Sequence, residues 1–364
     1  ERRKAWMRTV YISNSVWFST ETISQIVFSL VYIVGAYALH PMASFGVLLA
    51  MGTYASKFWQ PIVNLANIYN KFIDAMAYLE RIFETMNEPP VIEDRPGAVE
   101  LPPITGKVEF DHVSFGYEPG QKILHDVSFT AQPGESIAIV GPTGAGKTTI
   151  VNLISRFYNI EEGAVLIDGH SVMDVTLHSL RSQMGIMLQD SFVFSGTIAD
   201  NIRYGRLDAS DADIVRVSKL LCADEFIQKL PHGYETEVKE RGGGLSQGQK
   251  QLIAFARTLL ADPKILVLDE ATSSIDTSTE QLLQRGINLL LQGRTSFIIA
   301  HRLSTIRSCT RIMYIDGGEI KEAGSHDELM AKKGYYYDLY MAQYREDPEE
   351  ASPAPSQTGE FSPA

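Results

Sequence analysis

Gly141-Pro142-Thr143-Gly144-Ala145-Gly146-Lys147-Thr148 is the most specific motif in the sequence. It fits the pattern G-x-x-x-x-G-K-[ST]. It also stands between an apolar run, residues 137–140, that predicts a strand and a helical run that begins near Thr149. Strand, glycine loop and helix are the context in which this pattern holds phosphate. The glycines let the backbone N–H groups of residues 141–149 curl around phosphate oxygens, and the helix N-terminus adds positive potential. Lys147 would reach the β- and γ-phosphates of a nucleoside triphosphate, and the Thr148 hydroxyl would ligate Mg²⁺.

A second acidic element complements the loop. Ile265-Leu266-Val267-Leu268 reads as a buried strand and ends in Asp269-Glu270, which puts two carboxylates at the C-terminal edge of a parallel sheet, beside a phosphate loop that ends another strand. Asp269 is the candidate to hold Mg²⁺, and Glu270 the candidate general base that orients and deprotonates an attacking water. Taken alone, an Asp-Glu pair is as well read as a solvated strand end. The phosphate loop gives it meaning.

Outward from this centre the texture is α/β, with short β-branched runs at 136–140, 164–167, 265–268 and 296–299 alternating with helical stretches. Asp316-Gly317-Gly318 between two apolar runs predicts a hairpin. Upstream, Pro89, Pro90, Pro96, Gly97, Pro102 and Pro103 make residues 88–103 read as an exposed linker. The end, residues 345–364, is rich in Pro, Ser, Glu and Ala and is expected to be disordered.

Residues 1–87 differ again. Two long helical patterns are predicted at about 10–39 and 45–86, with Ile62, Leu65, Ile68, Phe72, Met76, Leu79 and Phe83 recurring at helical spacing in the second. Both exceed the roughly 30 Å of a hydrocarbon core, so each is expected to project into water. Basic residues sit at the far ends (Arg2, Arg3, Lys4, Arg8; Lys71, Arg81) and none lies in the turn, which places both far ends in the cytoplasm if the hairpin spans a membrane. Glu21 and Lys57 interrupt the apolar pattern and keep a soluble hairpin open as the other reading; Glu21 itself is expected in a cytoplasmic extension. The first residue is Glu1, no signal-peptide pattern precedes the apolar segments, and further sequence is expected upstream.

Composition narrows the partners. A net charge of -12 without a Lys/Arg stripe argues against a nucleic-acid surface. The two cysteines, Cys222 and Cys309, read as reduced, packed thiols without a function.

From here the residues resemble the nucleotide-binding domain of an ABC transporter, over nearly all of 104–344. Val113-Ser114-Phe115-Gly116-Tyr117 is similar to the loop whose aromatic ring stacks on adenine. Gln189 stands at the position of the glutamine that contacts Mg²⁺ and faces the membrane domain. Leu245-Ser246-Gln247-Gly248-Gln249 resembles the family signature, followed by a helix at 250–260; Ser273-Ser274-Ile275-Asp276 stands at the D-loop, and His301 at the switch histidine. The resemblance implies ATP and Mg²⁺ as cofactors, with Gln189, Glu270 and His301 catalytic and Thr148, Gln189 and Asp269 at the metal. The signature's Ser246, Gly248 and Gln249 would bind, in trans, the ATP held by a second subunit.

The first two helices resemble the last two transmembrane helices of exporter-type subunits, with residues 54–62 and 81–84 similar to the final helix and its exit toward the linker. The implied architecture is an α/β P-loop domain with a helical subdomain inserted at about 190–245, joined to a partial all-α transmembrane domain. The implied function is ATP-driven export or flipping of a small molecule, drug, lipid or peptide across a cell membrane, by a multi-pass protein with its nucleotide-binding domain in the cytoplasm. Substrate identity is not legible, because most substrate-contacting helices of such proteins would lie upstream. A soluble ABC ATPase and a fragment that only binds nucleotide are the competing readings. One residue departs from the pattern: Gln247 replaces the first glycine of Leu-Ser-Gly-Gly-Gln. A heterodimer with a related subunit is expected from it, and a homodimer that tolerates glutamine is the alternative.

Overall fold

A computed structural model describes residues 2–38, 44–187, 192–239, 242–269, 277–300 and 302–346. Gln189, Glu270, the 273–276 segment, His301 and the tail from 347 lie outside them. The chain divides into two compact units, Glu1–Pro90 and Val91–Ala364.

The first unit is a pair of helices, α1 (Arg2–Ala38) and α2 (Phe45–Met86), of 37 and 42 residues. Small residues bring them together: Gly35 lies against Leu48, and Gly52 against Tyr32, an antiparallel pairing next to the turn. Thr22, Ser29, Thr53 and Thr85 donate to the carbonyl four residues back, which satisfies their hydroxyls within the helix. Large apolar side chains along both, among them Ile26, Leu30, Ile33, Leu65, Ile68 and Phe72, are exposed. Ser24, Gln25 and Ser29 break the apolar run of α1, and Thr53 and Lys57 that of α2. Among the described residues no helix is long and apolar enough to cross a membrane.

The second unit is built on a six-stranded sheet of order β12-β11-β3-β10-β9-β6. Its parallel strands, β3 (Ser136–Val140), β6 (Met184–Met187), β9 (Ile265–Asp269), β10 (Thr295–Ile299) and β11 (Arg311–Asp316), are the near-continuous apolar runs expected of a sheet covered on both faces. β12 (Glu319–Gly324) pairs antiparallel with β11 across Gly317-Gly318. Strand alternation then divides the interior in two. Ile137, Ile139, Val267 and Phe297 face a core shared with α3 (Lys147–Ile154) and with an antiparallel sheet of β2 (Leu124–Ala131), β1 (Val108–Phe115), β4 (Glu162–Ile167) and β5 (His170–Ser171). Ala138, Leu266, Leu268 and Ile298 face the other core, with α8 (Gln247–Ala261) and α9 (Thr277–Leu291).

Between β6 and α8 lie α5 (Ile198–Arg203), α6 (Asp211–Leu220), α7 (Asp224–Ile227) and the short pair β7 (Gly196–Thr197) and β8 (Glu237–Val238). Thr197 and Ser210 start α5 and α6 with reciprocal capping boxes. After β10 come α10 (Leu303–Ser308), α11 (His326–Lys332) and α12 (Tyr335–Glu346).

The proline-rich segment 88–103 is exposed along most of its length, but it is not loose: Leu101 is buried, as is Ile104 just after it, and the chain from Glu93 onward is fastened to the α/β unit. Asp94 accepts from the N–H of Leu177 at the start of α4 (Leu177–Arg181), the Leu101 N–H donates to Ser179 Oγ, and the Ile104 N–H donates to Gln183 Oε1. Arg156 ties the strap down. Fully buried just past the end of α3, it donates to the carbonyls of Val175 and Glu93 at 2.9 and 2.8 Å. Arg156→Leu leaves the buried Val175 carbonyl and the partly buried Glu93 carbonyl short of a charged donor, and it should cost about 2–4 kcal/mol of stability. Denaturant unfolding checks this; an unchanged midpoint would show that the strap holds without it.

Candidate nucleotide site

The phosphate loop leaves β3 at Val140 and enters α3 at Lys147, two residues before the helix start read from the sequence. Gly141 must be glycine, since a Cβ there would run into the Ile315 carbonyl oxygen. Gly146, the residue before α3, has φ 101° and a Cβ on it would come within 2.7 Å of Leu124 Cδ2. With no side-chain cap at this end, the first N–H groups of α3 are available to an anion.

Lys147 is almost buried, and its ammonium donates to the carbonyls of Gly141 and Pro142 at 2.8 and 2.9 Å. The side chain is thus folded back over the loop it belongs to. Burial lowers its pKa below the ordinary lysine value, and the negative charge of Asp269 works against that. Thr148 is exposed, while Thr149 is buried.

Register places Asp269 at the same edge. Asp269 pairs with Ile299, and Ile299 with Ile139, so Asp269 is level across β10 with the end of β3, roughly 10 Å away at two strand spacings. Glu270 follows it directly and His301 follows β10 by two positions, both outside the described residues.

Tyr117 lies just beyond β1. Its ring meets Tyr158 edge-on at 4.8 Å and Phe115 at 5.2 Å, and one side borders a cavity of about 820 Å³ lined by Phe115, Gln121, Lys122, Glu161 and Glu162 among others. The phosphate loop does not line this cavity. Tyr117 Oη is 3.2 Å from Thr149 Oγ1 and accepts from Asn152 Nδ2 at 3.3 Å, so the aromatic ring and the phosphate loop are linked. Asn152 and Tyr158 were not singled out in the sequence, and no local pattern marks them; only the fold brings them to Tyr117.

The signature residues stand at a helix start. Ser246 is the N-cap of α8, its hydroxyl accepting from the Gln249 N–H while Gln249 Oε1 accepts from the Ser246 N–H. The helix therefore begins at Gln247, three residues before the sequence reading placed it. Gly248 is buried in its first turn, and Gln247 is exposed. Gln247 is helical and shows no positive φ, so the backbone itself accepts a side chain here. Among the described residues no cluster of three or more His, Cys, Asp or Glu could hold a metal ion.

These features agree with the comparisons. A family model described as ABC transporter matches residues 124–273. An uncharacterized ABC transporter ATP-binding protein, YfiC of Bacillus subtilis, is 47% identical over 340 residues, which are 93% of this chain and 56% of that protein. An ATP-dependent lipid A-core flippase of Syntrophus aciditrophicus is 43% identical over 302 residues, 83% of this chain and 50% of its own length. The solved structure of a bacterial Atm1-family ABC exporter with ATP bound superposes with a TM-score of 0.73 at 38% identity, covering 92% of this chain and 59% of that one. The chain spans about half the length of the curated relatives it matches. A phosphate loop and a strand-end aspartate at one sheet edge, with a serine-capped signature helix in the same domain, fit that likeness, and the chain belongs to the ABC transporter family.

Proposed function

We propose that this chain is the ATP-hydrolysing part of an ABC exporter subunit and that it couples hydrolysis to export or flipping of a substrate across a membrane. The observation that carries the reading is Lys147 held over the phosphate loop with Asp269 at the same sheet edge. Thr148, Asp269 and Gln189 would hold Mg²⁺. An exposed hydroxyl and a single carboxylate fit that ion, which takes few protein ligands and completes its shell with phosphate and water. Mg²⁺ would neutralise charge on the transferred phosphoryl group. Tyr117 would stack on the base, the N–H groups of 141–149 would hold the phosphates, and Glu270, with His301 and Gln189, would act on the attacking water. The relatives named as a flippase and an exporter support a cell-membrane, multi-pass setting for the whole protein, with this domain in the cytoplasm. In lipid vesicles with its partner, the full-length subunit should release phosphate from ATP in a Mg²⁺-dependent manner. No release above that of Lys147→Ala would end this reading.

The partner is a different, related subunit. Gln247 sets a long polar side chain at the first position of α8, where backbone N–H groups would approach the γ-phosphate held by the partner. That impairs the partner's site, while this chain's own phosphate loop and Glu270 keep the residues the family uses. Affinity purification of the full-length protein from native membranes should bring down a second ABC subunit in equal amount. A homodimer that hydrolyses ATP at both sites would overturn the assignment.

A further inference from the structure

The hydroxyl of Tyr117 has two side-chain partners. It lies between Thr149 Oγ1 at 3.2 Å and Asn152 Nδ2 at 3.3 Å, in the first and second turns of α3. The ring is also braced edge-on by Tyr158, which follows α3, and by Phe115, which precedes it on β1. An aromatic side chain in a loop has two rotatable bonds and many orientations open to it. Here a bond at its tip and two ring contacts at its flanks select one. The amide nitrogen of Asn152 can only donate, so the phenol oxygen accepts from it, and a second hydrogen bond joins the phenol and Thr149 hydroxyls.

We infer that Asn152 is a positioning residue for nucleotide binding: through the Tyr117 hydroxyl it fixes the ring as a preformed platform for a purine base and ties that platform to the phosphate-binding helix. This rests on the reading of Tyr117 as the base-stacking residue. Fixing the ring before the ligand arrives removes an ordering cost from binding, and only a ligand that carries a base collects the benefit. Asn152 should therefore matter to a nucleotide and not to its bare phosphates.

The test uses the full chain and calorimetric titration with ADP and with inorganic pyrophosphate, neither of which is consumed. Asn152→Leu is expected to weaken ADP about three- to tenfold, the worth of one hydrogen bond, and to leave pyrophosphate within about twofold. Tyr117→Phe, which keeps the ring and loses the hydroxyl, should reproduce both results. In a Tyr117→Ala background, Asn152→Leu should change ADP affinity by less than about twofold, because the ring it positions is gone. Equal weakening of ADP and pyrophosphate would place Asn152 in support of the phosphate loop and overturn the inference. A full Asn152 effect in the absence of the ring would overturn it as well. If Tyr117→Ala itself leaves ADP affinity unchanged, the stacking reading fails first and takes the inference with it; if Tyr117→Ala weakens ADP and Asn152→Leu does not, only the inference fails.

Discussion

Lys147→Ala is expected to weaken ATP binding by roughly two orders of magnitude while the domain stays folded. The ammonium is placed to make charge-assisted bonds to phosphate oxygens, each worth about 1.5–3 kcal/mol, and alanine makes none. Its present partners are the carbonyls of Gly141 and Pro142, on residues that are half-buried and exposed and so within reach of water. The loop's shape rests on other things, chiefly the close passage of Gly141 by Ile315 and of Gly146 by Leu124. Stability should therefore fall little, and titration of ATP against the full chain reads the effect directly. An unchanged affinity would remove Lys147 from the phosphate site.

The parts of this site that were legible in the sequence are those whose chemistry is local. Gly141, Gly146 and Lys147 must be neighbours in the chain for one loop to wrap a phosphate, so their spacing is itself the signal. The strand before Asp269 was legible for a similar reason, as a run of buried apolar residues ending in a charge. What could not be read is register. That Asp269 stands level with Ile139 follows from its pairing through Ile299, a relation between segments about 130 residues apart that no periodicity encodes.

The antiparallel layer was only partly visible. Its alternation is broken at β-bulges, where His112 and Asp126 take positive φ and the β1–β2 and β1–β4 pairings shift register. The segment before Ile104 is exposed along most of its length, as its prolines suggested, but they say nothing about docking, and the burial of Leu101 was not legible. Its partners Arg156, Ser179 and Gln183 lie elsewhere in the chain, and a buried arginine cannot be told from a solvated one by type. Gln247 shows the reverse case. The family pattern has glycine there, yet the position is an ordinary helical one, so the significance of glutamine rests on what its side chain would meet across a dimer.

Glu270→Gln should leave ATP binding intact and lower hydrolysis by about 10²–10⁴-fold, the usual contribution of a positioned general base. Glutamine keeps the shape and the hydrogen-bonding reach of glutamate but cannot take a proton from water. Binding should survive because the groups proposed to grip the nucleotide, the 141–149 backbone, Lys147 and Tyr117, lie on β3, α3 and the loop after β1, whereas Glu270 follows β9. Phosphate release at saturating ATP, set beside ATP affinity, separates the two effects. Near-normal hydrolysis by the complete transporter would reject Glu270 as the base. The size of what remains also bears on the dimer. If this chain's site is the competent one and its partner's is impaired by Gln247, the single substitution should silence the whole transporter. A residual rate close to half would mean that both sites work, and that glutamine at the start of α8 is tolerated.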